Sequence, residues 1–277
     1  MNRSAASCLA LLVSAGGAMA QEAMYTAAAT MPAPGLFVLR QQAHLFSYGT
    51  RPNTTNTRTD VYESMTSLAY GVVRDVSLNL DVPTAIKVKH IAGQDSDHDQ
   101  GIEDLDLMLK WRFYKDDSGG VDTVRAALIG GAKVASGDDD GFSSQTVSPM
   151  LGGVITVVRG RHGFNQDLFY ILTTGGDEAD NLGGEGLADA LRHNTAYLYR
   201  LAPDRYAADS VAAWYATIEL NGIYETNGDY ELRWSPGLMY EGRRWGAEIM
   251  AQFPLSHSLD HRPELDFALG FGVRFLF

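Results

Sequence analysis

Along most of this chain, apolar and polar positions alternate one by one. In LDLMLKWRF, Leu105, Leu107, Leu109, Trp111 and Phe113 fall on one side, and Asp106, Met108, Lys110 and Arg112 on the other. WGAEIMAQFPL sets Trp245, Ala247, Ile249, Ala251, Phe253 and Leu255 against Gly246, Glu248 and Gln252, and VSLNLDV and YELRWSPGLMYE repeat the arrangement. A period of two is a strand with one apolar face, and no helical period competes over a comparable length. The pattern predicts about twelve strands, an even number as closed bacterial barrels require. They lie near 35–46, 60–73, 75–88, 103–114, 121–136, 145–158, 163–174, 190–201, 211–224, 230–242, 244–256 and 263–277. Most run about ten residues or more, enough to cross a bilayer at a tilt of about 45°.

The links between these segments alternate in length. Short ones fall at Val73–Asp75, Tyr114–Val121, Arg159–Gly163 and Gly242–Arg244, and LAPDRYAADS is the longest of that set. Between them come longer polar links such as SYGTRPNTTNTRT, GQDSDHDQG, SGDDDG and GGDEADNLGGEG. Short periplasmic turns alternating with longer outer loops describe an outer-membrane barrel with both termini on the periplasmic side. A soluble sandwich would bury its apolar face, but here the opposite face carries opposed charges and glycines, while Trp and Tyr sit toward strand ends as interfacial girdles do. Since lipid admits no open sheet edge, the first and last strands must pair. The last strand ends GFGVRFLF, and Phe275 and Phe277 are expected to form its assembly signal.

The first residues, MNRSAASCLALLVSAGGAMAQEA, form a secretory signal peptide expected to be cleaved after Ala20. Cleavage removes Cys8, the only cysteine, and with it any disulfide, thiolate nucleophile or cysteine metal ligand. Losing Arg3 as well takes the formal charge from −12 to −13. A chain this acidic is a poor nucleic-acid binder. The expected organisation is a signal peptide at 1–20, a short periplasmic segment at 21–34 and an all-β transmembrane barrel at 35–277, in the bacterial outer membrane. The periplasmic segment is too short for a separate plug domain.

The polar face is expected to line the lumen with Asp81, Asp106, Lys110, Arg112, Arg125, Lys133, Asp167, Arg192, Glu219, Glu231, Arg233, Glu248, Asp266 and Arg274. Neither sign dominates, so these residues form either a polar pore or paired charges that fill a narrow bore. Asp95, Asp97 and Asp99 match the first ligand positions of a calcium loop, but Gln100 stands where that loop needs glycine, and the flanks are strands. A looser cation site with Asp138–Asp140 is weighed against a solvated loop, and no metal or other cofactor is expected. Ser256 and Ser258 flank His257 immediately and leave the strand on the opposite face, while His193 with Thr195 faces lipid, so no catalytic residue and no enzyme activity is expected.

PAPG near the mature start, YGVVRDVSLNLDVP, IEDLDLMLKWRFY, AALIGGAKVASGDDDG and IELNGIYETNGDYELRWSPGLMYEGRRWGAEIMAQFPL together resemble the outer-membrane transporter family known as "MetA-pathway of phenol degradation". The likeness covers most of residues 32–277. It implies an outer-membrane barrel that passes small hydrophobic or aromatic compounds, and it supplies no catalytic residues. The expected partners are outer-membrane lipid and lipopolysaccharide, the outer-membrane assembly machinery and a small-molecule permeant. The alternatives are a structural or adhesive barrel with a plugged lumen and a lipid-modifying enzyme.

Overall fold

The computed structural model describes residues 21–50, 57–118, 121–138, 141–175, 187–207 and 209–277. The expected signal peptide lies outside them, as do Asp139 and Asp140. Thirteen strand segments follow in order: β1 (Phe37–Tyr48), β2 (Thr57–Val73), β3 (Val76–Ile91), β4 (Asp97–Ile102), β5 (Leu105–Ser118), β6 (Asp122–Val134), β7 (Ser148–Arg159), β8 (His162–Ile171), β9 (Ala190–Ala202), β10 (Ala212–Glu225), β11 (Tyr230–Gly242), β12 (Trp245–Ser258) and β13 (Leu265–Leu276). Neighbours pair antiparallel, β1 meets β13 and β2 meets β3, so the sheet closes on itself. β4 and β5 are two halves of one barrel strand, since β3 pairs with β5 over Val76–Asp81 and with β4 over Thr84–Lys89. The result is a closed twelve-stranded antiparallel barrel, with no helix among the described residues.

The alternation decides what each face meets. Leu107, Leu151, Leu168, Leu238, Ile249 and Phe271 stand outward and exposed, as an apolar band against lipid requires. At the end with short turns, Trp214, Tyr240 and Trp245 stack at 5.1 and 4.6 Å, and Phe37 meets Tyr70 at 4.6 Å. These amphipathic rings form an interfacial girdle. The opposite, loop end carries Tyr62, Tyr170 and Tyr224 on its outer face.

The terminal residue belongs to the closing seam. Phe277 donates its N–H to the Phe37 carbonyl at 2.9 Å and accepts from the Phe37 N–H at 3.2 Å. These bonds contribute about 0.5–1.5 kcal/mol each, and more where water is absent. Removing Phe277, or replacing it with Asp, is therefore expected to lower the yield of heat-modifiable barrel on a detergent gel while export continues. Equal folded yield from the truncated chain would refute this role.

The break between β4 and β5 has a local cause. Asp104 turns inward and its carboxylate gathers the following loop, accepting from Ser136 N and Gly137 N at 3.0 Å, Ser143 Oγ at 2.7 Å, Ser144 N at 2.8 Å and Ser144 Oγ at 2.6 Å.

Candidate functional site

Residues 21–34, expected as a periplasmic segment outside the barrel, lie inside it. No folded plug domain is needed, because a single extended segment suffices when the lumen wall supplies its hydrogen bonds. The segment leaves β1 at the turn end, where Gly35 N donates to Gly71 O at 2.8 Å and Gly71 N to Leu36 O at 3.0 Å. A Cβ at Gly71 would stand 2.2 Å from the Ala33 carbonyl, so only glycine lets the segment turn in here. It climbs to mid-barrel at Met24–Ala27 and doubles back, so that Gln21 comes down to Asn165 and Tyr215 near the turn end. Gly163 leaves room for the Gln21 amide, whose oxygen a Cβ there would meet at 2.0 Å.

A buried backbone needs a partner for each polar group, and the lumen residues provide them. Glu219 accepts from Met24 N at 3.0 Å, Tyr25 N at 3.2 Å and Thr26 Oγ1 at 2.5 Å. Asp167 accepts from Ala27 N at 2.7 Å, and Thr156 Oγ1 from Ala29 N at 2.8 Å. Lys110 donates to the carbonyls of Ala28 and Thr30, at 2.9 and 3.3 Å. Arg40 reaches Ala23 O at 2.8 Å, and Arg274 reaches Glu22 O at 3.4 Å. The small side chains complete the fit: Ala23 packs with Leu198, Tyr215 and Met239, and Ala29 with Ile129, Val154 and Phe169.

Several of the remaining charges pair with one another. Glu248 of β12 holds Arg40 of β1 at 2.6 Å, reaching across β13, whose Arg274 faces Arg40 in register. Glu231 takes Arg233 at 2.6 Å and Arg262 at 2.8 Å, and Arg262 takes Glu225 at 2.7 Å, all but Arg233 fully buried. Arg112 binds Asp75 at 2.7 Å and Arg125 binds Asp117 at 3.1 Å, both toward the turn end. Asp106 stands in register between Asp81 and Lys133, Arg192 lies over the Phe169 ring at 5.0 Å, and Asp266 is exposed at the loop end. Phe275 faces outward with its ring 6.4 Å from that of Phe277.

Between the segment and the β1–β3 side of the wall lies a cavity of about 390 Å³. Met24, Met31, Met65, Met108, Phe46 and Phe169 supply the apolar part of its lining, and Arg40, Asp81, Lys110, Asp167 and Arg192 stand among the charged groups of the rest. His44 also borders it, with Nδ1 3.1 Å from Glu63 and Nε2 buried without a hydrogen-bond partner.

Arg40, His44, Glu225 and Arg262 were not among the expected lumen residues. FVLRQQAHLF carries the first two on the same alternation that marks the other strands. Nothing local marks Arg262, which sits in a loop. On the outer face, the Thr195 hydroxyl donates to Gln166 at 2.6 Å. Asp97 and Asp99 lie in β4 opposite Lys89 and Lys87, and the described residues contain no group of three or more acidic or histidine side chains placed to hold a metal.

No protein-family model matches the sequence, and no curated protein is similar to it. An outer-membrane channel from Pseudomonas putida F1 has a similar structure, with a TM-score of 0.64 at 10% identity over 90% of this chain and 97% of that one. The β domain of the Bordetella autotransporter BrkA gives 0.48 at 10% identity over 88% and 100%. OccK11 (OpdR) of Pseudomonas aeruginosa gives 0.36 at 10% identity over 91% and 100%. The likeness to the Pseudomonas putida channel is one of fold, and that fold is the β-barrel of bacterial outer-membrane proteins.

Proposed function

We propose that the barrel is an outer-membrane channel for small hydrophobic or aromatic molecules and does no chemistry on them, the role implied by the phenol-degradation resemblance. Its turn end faces the periplasm, outer-membrane lipid and lipopolysaccharide surround it, and the assembly machinery recognises the strand ending in Phe277. One observation carries this reading: the methionine- and phenylalanine-lined cavity in the lumen. Cavities of roughly 300–1,000 Å³ take small organic molecules, and unbranched methionines adapt to aromatic surfaces of varied shape. A structural barrel is the second reading, favoured by residues 21–34 and the paired charges that occupy the bore.

Naphthalene uptake by cells with and without the barrel, together with conductance of the purified protein in planar bilayers, tests the proposal. Uptake above background supports a channel. A folded barrel with neither uptake nor conductance leaves the structural reading.

A further inference from the structure

On the inner face of β1, the His44 side chain is only 5% exposed, and only one of its ring nitrogens is satisfied. Nδ1 lies 3.1 Å from Glu63 Oε1, and since an ionised carboxylate can only accept, Nδ1 carries the ring proton. In the neutral ring Nε2 is then a bare lone pair, and it is buried without a hydrogen-bond partner. The rings of Tyr25 and Phe46, at 5.6 and 5.4 Å, hold the imidazole in place.

Sulfur lies beside that end of the ring. His44 faces Gly270 in register, and the Met24 thioether fills the space that a side chain at Gly270 would take. A Cβ there would collide with Met24 Sδ and stand 3.0 Å from His44 Cδ2, the ring atom bonded to Nε2. Met65 is two residues beyond Glu63 on β2, hence on the same face, and borders the same cavity. It is the diagonal neighbour of His44 across the strand pair, a separation that long side chains bridge.

A histidine with one nitrogen held by a carboxylate and the other free is the arrangement of a metal ligand and its outer partner. Thioethers select soft ions, Cu(I) among them, whereas dications such as Zn(II) are held by larger sets of nitrogen, oxygen or thiolate donors. Among the described residues no three acidic or histidine side chains are grouped to hold such a dication. We propose that His44 Nε2, with the sulfurs of Met24 and Met65, binds Cu(I). Met24 belongs to the lumen segment and the other two to the wall, so the ion fastens the segment to β1 and β2. The site makes no demand on the permeant and stands apart from the channel reading above.

Ag(I) is the probe, a soft monovalent ion that needs no reductant to keep it so. Titrated as the nitrate into the purified, folded barrel in chloride-free detergent buffer, it should show one tight equivalent by calorimetry. X-ray absorption should then find sulfur and nitrogen neighbours around the silver. His44→Ala and Met24→Leu should each weaken binding by about tenfold or more. Met31→Leu, in the same cavity but outside the set, should bind as the wild type does. Excess Zn(II) should not displace the silver. If His44→Ala loses its heat-modifiability, Met24→Leu, close in volume to the original, decides the matter. A barrel that takes up no tight equivalent of silver, or holds it as tightly without His44 or Met24, overturns the proposal. Displacement by zinc overturns it too, as does an equal loss in Met31→Leu.

Discussion

Deleting residues 23–32, with Gln21 and Glu22 kept next to the export signal, should give a folded barrel whose conductance is several times that of the intact chain. The segment occupies the turn-end half of the bore, and none of the strand ladders runs through it. Its removal strips Glu219 of three donors and Asp167 of one. In a closed core, such bare carboxylates would be ruinous, but the emptied lumen admits water, which takes over the vacated hydrogen bonds. The barrel should therefore stay heat-modifiable and melt somewhat earlier. Glu219→Ala is the milder companion, loosening the segment without removing it, and should appear in single-channel records as intermittent openings. An unchanged conductance after deletion would mean that the segment does not limit the bore.

Replacing Arg262 with Ala is the most damaging single change we expect. Its guanidinium is fully buried and neutralises two carboxylates that are themselves fully buried, Glu225 and Glu231. Breaking a buried ion pair from one side costs about 3–5 kcal/mol, because the remaining charge has no water to turn to. Glu231 retains Arg233 after the change. Urea unfolding in lipid vesicles should register a drop of that order. Replacing Arg262 and Glu225 together, as Arg262→Met and Glu225→Gln, should recover much of it, since Glu231 keeps Arg233 and uncharged groups of similar size carry no such desolvation cost. Stability unchanged in Arg262→Ala would show that the pair is solvated.

The strands were legible because lipid and lumen act on opposite faces of every strand, and the period of two records that directly. Closure was legible, because lipid admits no open sheet edge and the last strand's pattern runs to the final residue, but register was not. The lumen's partners were not legible. Glu219 and Asp167 looked like charges in need of cations, whereas their partners are backbone N–H groups from a segment with no periodicity of its own. AMYTAAATMPAP has small, weakly patterned residues, and nothing in it distinguishes a chain solvated by water from one solvated by a barrel wall. Arg262 was hidden for a related reason: HSLDHRPE has the composition of a solvated loop, and only the third dimension brings its arginine over β10 and β11. The break at Glu103–Asp104 follows from hydrogen bonds to residues 136–144, which no local pattern could announce.

Because the lumen segment is continuous with β1 and enters through the turn end, it can leave and return without unzipping the β1–β13 seam. It is in effect a peptide ligand on a very short tether. A flexible tether of a few residues presents its ligand at an effective concentration in the millimolar range. A free peptide of the same sequence, added to a barrel lacking residues 23–32, would have to reach about that concentration to restore the narrow bore. Individual contacts in the lumen can therefore be modest while occupancy remains nearly complete. Moving the first strand only a few residues further from the segment would weaken that occupancy more than many substitutions along the wall.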